Sequence, residues 1–141
     1  VLRRALEASG QRFTQQRAAV YNFLAQTDSH PTADDVFSHV RHELNEISLA
    51  TVYKSLEALV GCDLVVKLAY ADGSARYDGR TDPHHHVRCL ACGRVCDVPA
   101  RMPDEAVVRI KEATSGFRIT GYVLELTGYC GECDSADADG R

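Results

Sequence analysis

The sequence predicts an α+β protein in two parts, an N-terminal winged helix-turn-helix and a small C-terminal α/β unit. Three observations carry this. Helix signals fill the chain to about residue 60 and are followed by an Asp72-Gly73 hairpin turn. The stretch from His84 to Asp97 then gathers three of the six histidines and three of the six cysteines. Finally, two C-x2-C pairs, Cys89/Cys92 and Cys130/Cys133, offer four thiolates, a complete tetrahedral shell for a structural zinc.

Composition narrows the options. A chain of 141 residues with 45% hydrophobic content can bury a real core as one domain or two small ones. Its net charge of −4 excludes a general basic coat, so contact with nucleic acid has to come from a local patch. Residues 1–80 hold nine Lys/Arg against ten Asp/Glu, and residues 81–141 hold seven against ten, so the excess acid lies in the second half. Neither an apolar run of membrane-spanning length nor a signal peptide is visible. Reduced cysteines in C-x2-C pairs fit the cytoplasm better than a secreted disulfide framework.

The elements follow in order. Leu2 to Ser9 forms a helix that Gly10 ends. Thr14 caps a helix from Gln15 to about Ala25, with Val20, Tyr21, Phe23 and Leu24 as its apolar face. Thr32 caps the next, whose first turn carries Asp34 and Asp35, charges suited to the helix dipole rather than to a metal. Another helix starts at Ser48, with Leu49, Val52, Leu56 and Leu59 as its buried stripe and Ala50, Thr51, Tyr53, Lys54 and Ser55 on other faces. Leu64 to Tyr70 and Ser74 to Asp78 read as the two strands of a hairpin. Helices followed by a hairpin are the winged-helix pattern, which makes the Ser48 helix the recognition helix for a major groove. Arg12, Arg17, Ser48, Ala50, Thr51, Tyr53 and Lys54 are the candidate DNA contacts.

The winged helix covers residues 1–79, a hinge 80–83, the second domain 84–133, and a disordered acidic tail 134–141. In the second domain, strands near His85–Arg88 and Val95–Val98 flank the Cys89/Cys92 knuckle. A helix runs from Pro103 to about Thr114, with Ala106, Val107 and Ile110 apolar. Phe117 to Tyr129 alternates as one long strand through Ile119, Tyr122, Leu124 and Leu126. A unit this small has too little core to stand easily alone, which predicts a zinc staple and dimerisation through the sheet.

His84 and His86 sit at i and i+2 on a strand and project to one side, as two ligands of one metal must, while His85 points away. His39 and His42 read as solvated surface. Cys62 and Cys96 lack partners and read as small apolar residues, with Cys96 and Asp97 facing opposite ways. Four thiolates for one metal and spare histidines for another suggest a structural and a regulatory metal site in a DNA-binding regulator.

Five motifs are specific in combination: Arg12-x-Thr14-x-Gln16-Arg17, His30-Pro31-Thr32-Ala33-Asp34, Ser48-Leu49-Ala50-Thr51-Val52-Tyr53, His84-x-His86-x2-Cys89-x2-Cys92-Gly93 and Gly128-Tyr129-Cys130-x2-Cys133. With them the chain resembles the ferric uptake regulator family of bacterial metal-dependent repressors over nearly its whole length. The resemblance implies a homodimer bound to palindromic operator DNA. It also implies a regulatory site at His30, Asp78, His84, His86 and Asp97, holding Fe(II) or Mn(II). Asp at positions 78 and 97 resembles the peroxide-sensing branch, in which iron-catalysed oxidation falls on ligand histidines, here His30 and His84. A further metal site of many members would use positions 83 and 122. Pro83 and Tyr122 stand there, so that site is expected to be absent or badly weakened. The alternative is an iron- or manganese-responsive uptake regulator without peroxide sensing. A rival from another class is a metalloenzyme of the oxygenase type, which the helix-turn-helix and the lack of a substrate-pocket motif disfavour; no enzyme activity is expected.

Overall fold

The computed structural model describes residues 1–134. The chain divides into two compact units, the first Val1–Asp82 and the second beginning at Pro83.

The first unit contains α1 (Leu2–Ala8), α2 (Gln15–Gln26), α3 (Ala33–Val40) and α4 (Leu49–Gly61), then β1 (Val66–Ala69) and β2 (Ala75–Asp78). Local chemistry sets the helix starts. Thr14 Oγ1 accepts from the Arg17 N–H at 3.1 Å and Ser48 Oγ from the Thr51 N–H at 3.1 Å. Thr32 and Asp35 cap one another's backbones in a capping box. Each cap is worth about 1 kcal/mol. Gly10, at φ 73°, turns the chain out of α1. Leu6, Val20, Leu24, Val36, Val52, Leu56, Leu59 and Tyr77 form the core.

Two expectations shift here. Ser55 belongs to the buried face of α4, with Val52, Leu56 and Leu59. It stands three residues after Val52 and four before Leu59, so helical geometry turns it inward despite its hydroxyl. The first strand begins at Val66 rather than Leu64, because the Leu64 N–H is used to close α4 by bonding to Leu59 O. The β1–β2 hairpin turns at Gly73, φ 85°, where Asp72 Oδ1 accepts from the Ser74 N–H and hydroxyl.

The second unit contains β3 (His85–Cys89), β4 (Val95–Val98), α5 (Asp104–Ala113) and β5 (Glu125–Gly128). The sheet order is β4-β3-β5, with β4 antiparallel and β5 parallel to β3. Among its described residues only Cys89 and Val95 are buried, whereas Val108, Ile110, Phe117, Val123 and Leu126 are exposed. The long strand expected from Phe117 to Tyr129 shrinks to four residues. The alternation of Ile119, Tyr122, Leu124 and Leu126 fits a half-buried strand, but residues 117–124 have no ladder partner among the described residues. Asp134, placed in the tail by composition, lies in a helical turn over residues 131–134, with its N–H bonded to Cys130 O. The rest of the expected tail is outside the described residues. No helix among the described residues is long and apolar enough to cross a membrane.

Candidate metal centres

The four paired cysteines converge in the second unit. Cys89 ends β3, and Gly93, at φ 78°, reverses the chain so that its N–H reaches Cys89 O at 2.9 Å. The parallel pairing of β3 with β5 brings Gly128 opposite Cys89, and the Leu90 N–H bonds Gly128 O at 2.7 Å. Cys130 is thereby delivered beside the knuckle. The four Sγ atoms lie within 4.8 Å of one another, with Cys92 and Cys130 at 3.9 Å, and all four cysteines are free thiols.

Two of the thiols are shifted in opposite directions. Backbone N–H groups of Cys92, Cys130 and Ala91 point at Cys89 and lower its thiol to about 6. Cys133, hydrogen-bonded to Cys130, Cys89 and Cys92, is pushed up to about 12. Sulfurs this close cannot all ionise beside one another without a cation. A soft divalent ion with tetrahedral preference resolves that conflict, which is the description of structural zinc.

Each unit also holds a separate imidazole–carboxylate group. In the first, His30 Nε2 lies 3.1 Å from Asp78 Oδ2. Both residues are buried, His30 at 3% and Asp78 at 7% exposure. The other Asp78 oxygen accepts from the Arg80 N–H at 2.8 Å. In the second unit, His86 and Asp97 are directly paired between β3 and β4, and His84 stands two residues earlier on the same face. His84 Nε2 and His86 Nε2 lie 3.2 and 3.4 Å from Asp97 Oδ1, and the two rings meet edge to face at 4.5 Å between centroids. The first unit therefore holds an imidazole–carboxylate pair, and the second holds two imidazoles and a carboxylate.

A family model described as the ferric uptake regulator family matches residues 8–127. The chain belongs to the ferric uptake regulator family. It is 34% identical to the peroxide-responsive repressor PerR of Staphylococcus epidermidis over 129 residues, covering 92% of this chain and 85% of that one. It is 35% identical to the peroxide operon regulator of Bacillus subtilis over 132 residues, covering 94% and 90%. The ferric uptake regulator Fur of Helicobacter pylori superposes with a TM-score of 0.79 at 21% identity, covering 94% of this chain and 89% of that one. The two-unit α+β architecture is the family's.

The remaining histidines have local partners. His85, on the opposite face from His84 and His86, stacks on Tyr122 at 5.1 Å, and its Nδ1 accepts from the Leu124 N–H at 3.3 Å. Tyr122 thus occupies its position as a stacking partner, and Pro83 offers no donor side chain. His39 is exposed, as expected, and its ring also stacks on Phe23 at 4.4 Å. His42 is exposed. Cys62 and Cys96 are half-buried and stand outside the four-sulfur cluster. Ser48, Ala50, Tyr53 and Lys54 are exposed along α4, and Thr51 is half-buried there. In the first turn of α2, Arg17 Nη1 donates to the carbonyl of Arg12, which precedes the helix, at 2.6 Å.

Proposed function

We propose that this chain is a cytoplasmic, homodimeric, metal-dependent repressor that binds palindromic operator DNA and senses peroxide. It carries structural zinc at Cys89, Cys92, Cys130 and Cys133. Its regulatory metal, Fe(II) or Mn(II), is held by His30, Asp78, His84, His86 and Asp97. The observation that carries this reading is the donor set: three imidazoles and two short carboxylates, with no thiolate. Such ligands suit iron and manganese better than they suit a zinc sensor. When bound there, ferrous iron supplies the chemistry that reduces peroxide to a short-range oxidant.

The protein's part is placement. Asp78 faces the ring of His30, and Asp97 faces those of His84 and His86, so the five side chains would hold the metal through imidazole nitrogens and short carboxylates. His30 belongs to the winged-helix unit, His84 and His86 to the other. A metal that needs all of them has differential affinity for one domain arrangement and shifts the population toward it. Oxidation of His30 or His84 removes a ligand and releases that arrangement. DNA contact falls to Arg12, Arg17, Ser48, Ala50, Thr51, Tyr53 and Lys54, with α4 in the major groove. The exposed apolar residues of the second unit give a second copy a surface to cover.

The second reading, a metal-responsive uptake regulator without peroxide sensing, shares the fold and both sites. Operator binding by iron- and manganese-loaded protein, before and after peroxide, separates the two. Release by peroxide of the iron form alone supports the first; indifference of both forms supports the second. Continuing turnover with iron and oxygen would instead indicate an enzyme.

A further inference from the structure

We infer that Arg76 is a positioning residue for the metal ligand His30, and that it ties this ligand to the wing formed by the β1–β2 hairpin. The inference rests on the regulatory-site reading above, but its geometry lies wholly within the first unit.

His30 precedes a proline, which disfavours helical geometry at His30 and keeps it outside α3. Its carbonyl therefore has no helical partner, and a poorly solvated carbonyl needs a donor. That donor arrives from 46 residues away: Arg76 Nη1 lies 2.9 Å from His30 O. The next residue of β2 repeats the attachment, with the Tyr77 N–H donating to Pro31 O at 2.9 Å. The third, Asp78, holds the His30 imidazole at 3.1 Å. Three consecutive residues of one strand thus grip residues 30–31.

The alternation of the strand explains how. Arg76 and Asp78 point to one face, where the first takes the backbone of His30 and the second its ring. Tyr77 points to the other, and its ring, 1% exposed, anchors β2 in the core. Meanwhile β2 pairs with β1 through Leu68 and Arg76, so the wing and the ligand share one strand. A change at His30 is felt by the wing through this strand, and Arg76 is the side chain that fixes the ligand's backbone.

The test uses the full-length, zinc-loaded protein and the variants Arg76→Ala and Arg76→Lys. Manganese affinity is read from the EPR signal of free Mn2+, and zinc content is measured in parallel. Removing a group that orients a ligand lowers metal affinity on the order of 10-fold. We expect that loss in Arg76→Ala with zinc content unchanged, and substantial recovery in Arg76→Lys, since one N–H suffices for the carbonyl. In metal-free protein, the Tyr77 amide of Arg76→Ala should exchange faster, because the Pro31 acceptor is less firmly held. Unchanged manganese affinity, equal loss in both variants, or loss of zinc together with unfolding would overturn the inference. If wild-type protein binds no manganese beyond the zinc site, the regulatory reading fails instead, and the amide exchange still decides whether Arg76 holds this segment.

Discussion

His86 and Asp97 face one another across the β3–β4 ladder, with Nε2 3.4 Å from Oδ1, and His84 reaches the same oxygen at 3.2 Å. One carboxylate thus organises two imidazoles. Its register is fixed by the strand pairing, so a longer side chain at position 97 would move the carboxylate relative to both rings.

The cysteine cluster gives the simplest prediction. Cys92→Ser or Cys133→Ser should release zinc and dissociate the dimer, because the two knuckles staple the segment after β5 to the end of β3. Cys62→Ser and Cys96→Ser should do neither. Metal analysis and sedimentation check this, and full zinc with a stable dimer in Cys92→Ser would remove the four-thiolate assignment.

Zinc retention should also depend on pH in a defined way. Cys89 is lowered to about 6, so above that value it enters the metal shell already as thiolate. Cys133, raised to about 12, must give up a proton at any physiological pH. Zinc affinity therefore falls as pH falls, and falls more steeply below about 6, where Cys89 also competes for a proton. For metal-free protein the sign is the same on the acid side. The lowered Cys89 thiol contributes stability above its unfolded value of 9.0 that is lost as pH drops toward 6. The raised Cys133 thiol contributes stability below 9.0 that is lost as pH rises toward 12. A competition titration with a chromophoric chelator across this range gives the slope, and a constant slope through pH 6 counts against the assignment.

On the DNA side, Tyr53→Ala should weaken specific binding by about 1–3 kcal/mol, as expected for loss of a base-edge contact. Arg17→Ala should weaken binding across sequences and lower the salt slope by about one for a lost phosphate contact. Its bond to Arg12 O means that this variant also loosens Arg12. Fluorescence anisotropy at several salt concentrations distinguishes the two effects. Unchanged affinity in both would move the reading surface elsewhere.

His30→Ala separates binding from switching. It should keep the dimer and the zinc yet lose the metal stimulation of operator binding, since in the proposed regulatory site His30 is the ligand that the winged-helix unit contributes beside Asp78. Metal-stimulated binding that survives in this variant would defeat the interdomain account.

How far the sequence alone reaches depends on the range of the interactions. Thr14, Thr32 and Ser48 announce their helices because a cap acts over three residues. The His84/His86 pair and the two knuckles are legible for the same reason. Ser55 is polar by type but faces inward by helical phase, so its polarity points to the wrong face. Residues 117–124 carry a genuine strand alternation, but alternation does not say where the partner is, and the described residues provide none. The grip of Arg76, Tyr77 and Asp78 on residues 30–31 leaves no local trace, as the Arg76 and His30 partners alone stand 46 residues apart. The stack of His85 on Tyr122 is equally remote in sequence.

The central claim is tested most directly by peptide mass spectrometry of protein loaded with Fe(II) or Mn(II) and briefly exposed to peroxide while bound to DNA selected by the manganese form. One added oxygen atom on His30 or His84, dependent on iron, absent with manganese and accompanied by release from DNA, is the predicted result. Asp97→Glu should retain metal-dependent binding but show much less of this modification. If both histidines remain unmodified and the iron-loaded protein stays on DNA, peroxide sensing is contradicted, and the chain is a sensor of metal alone.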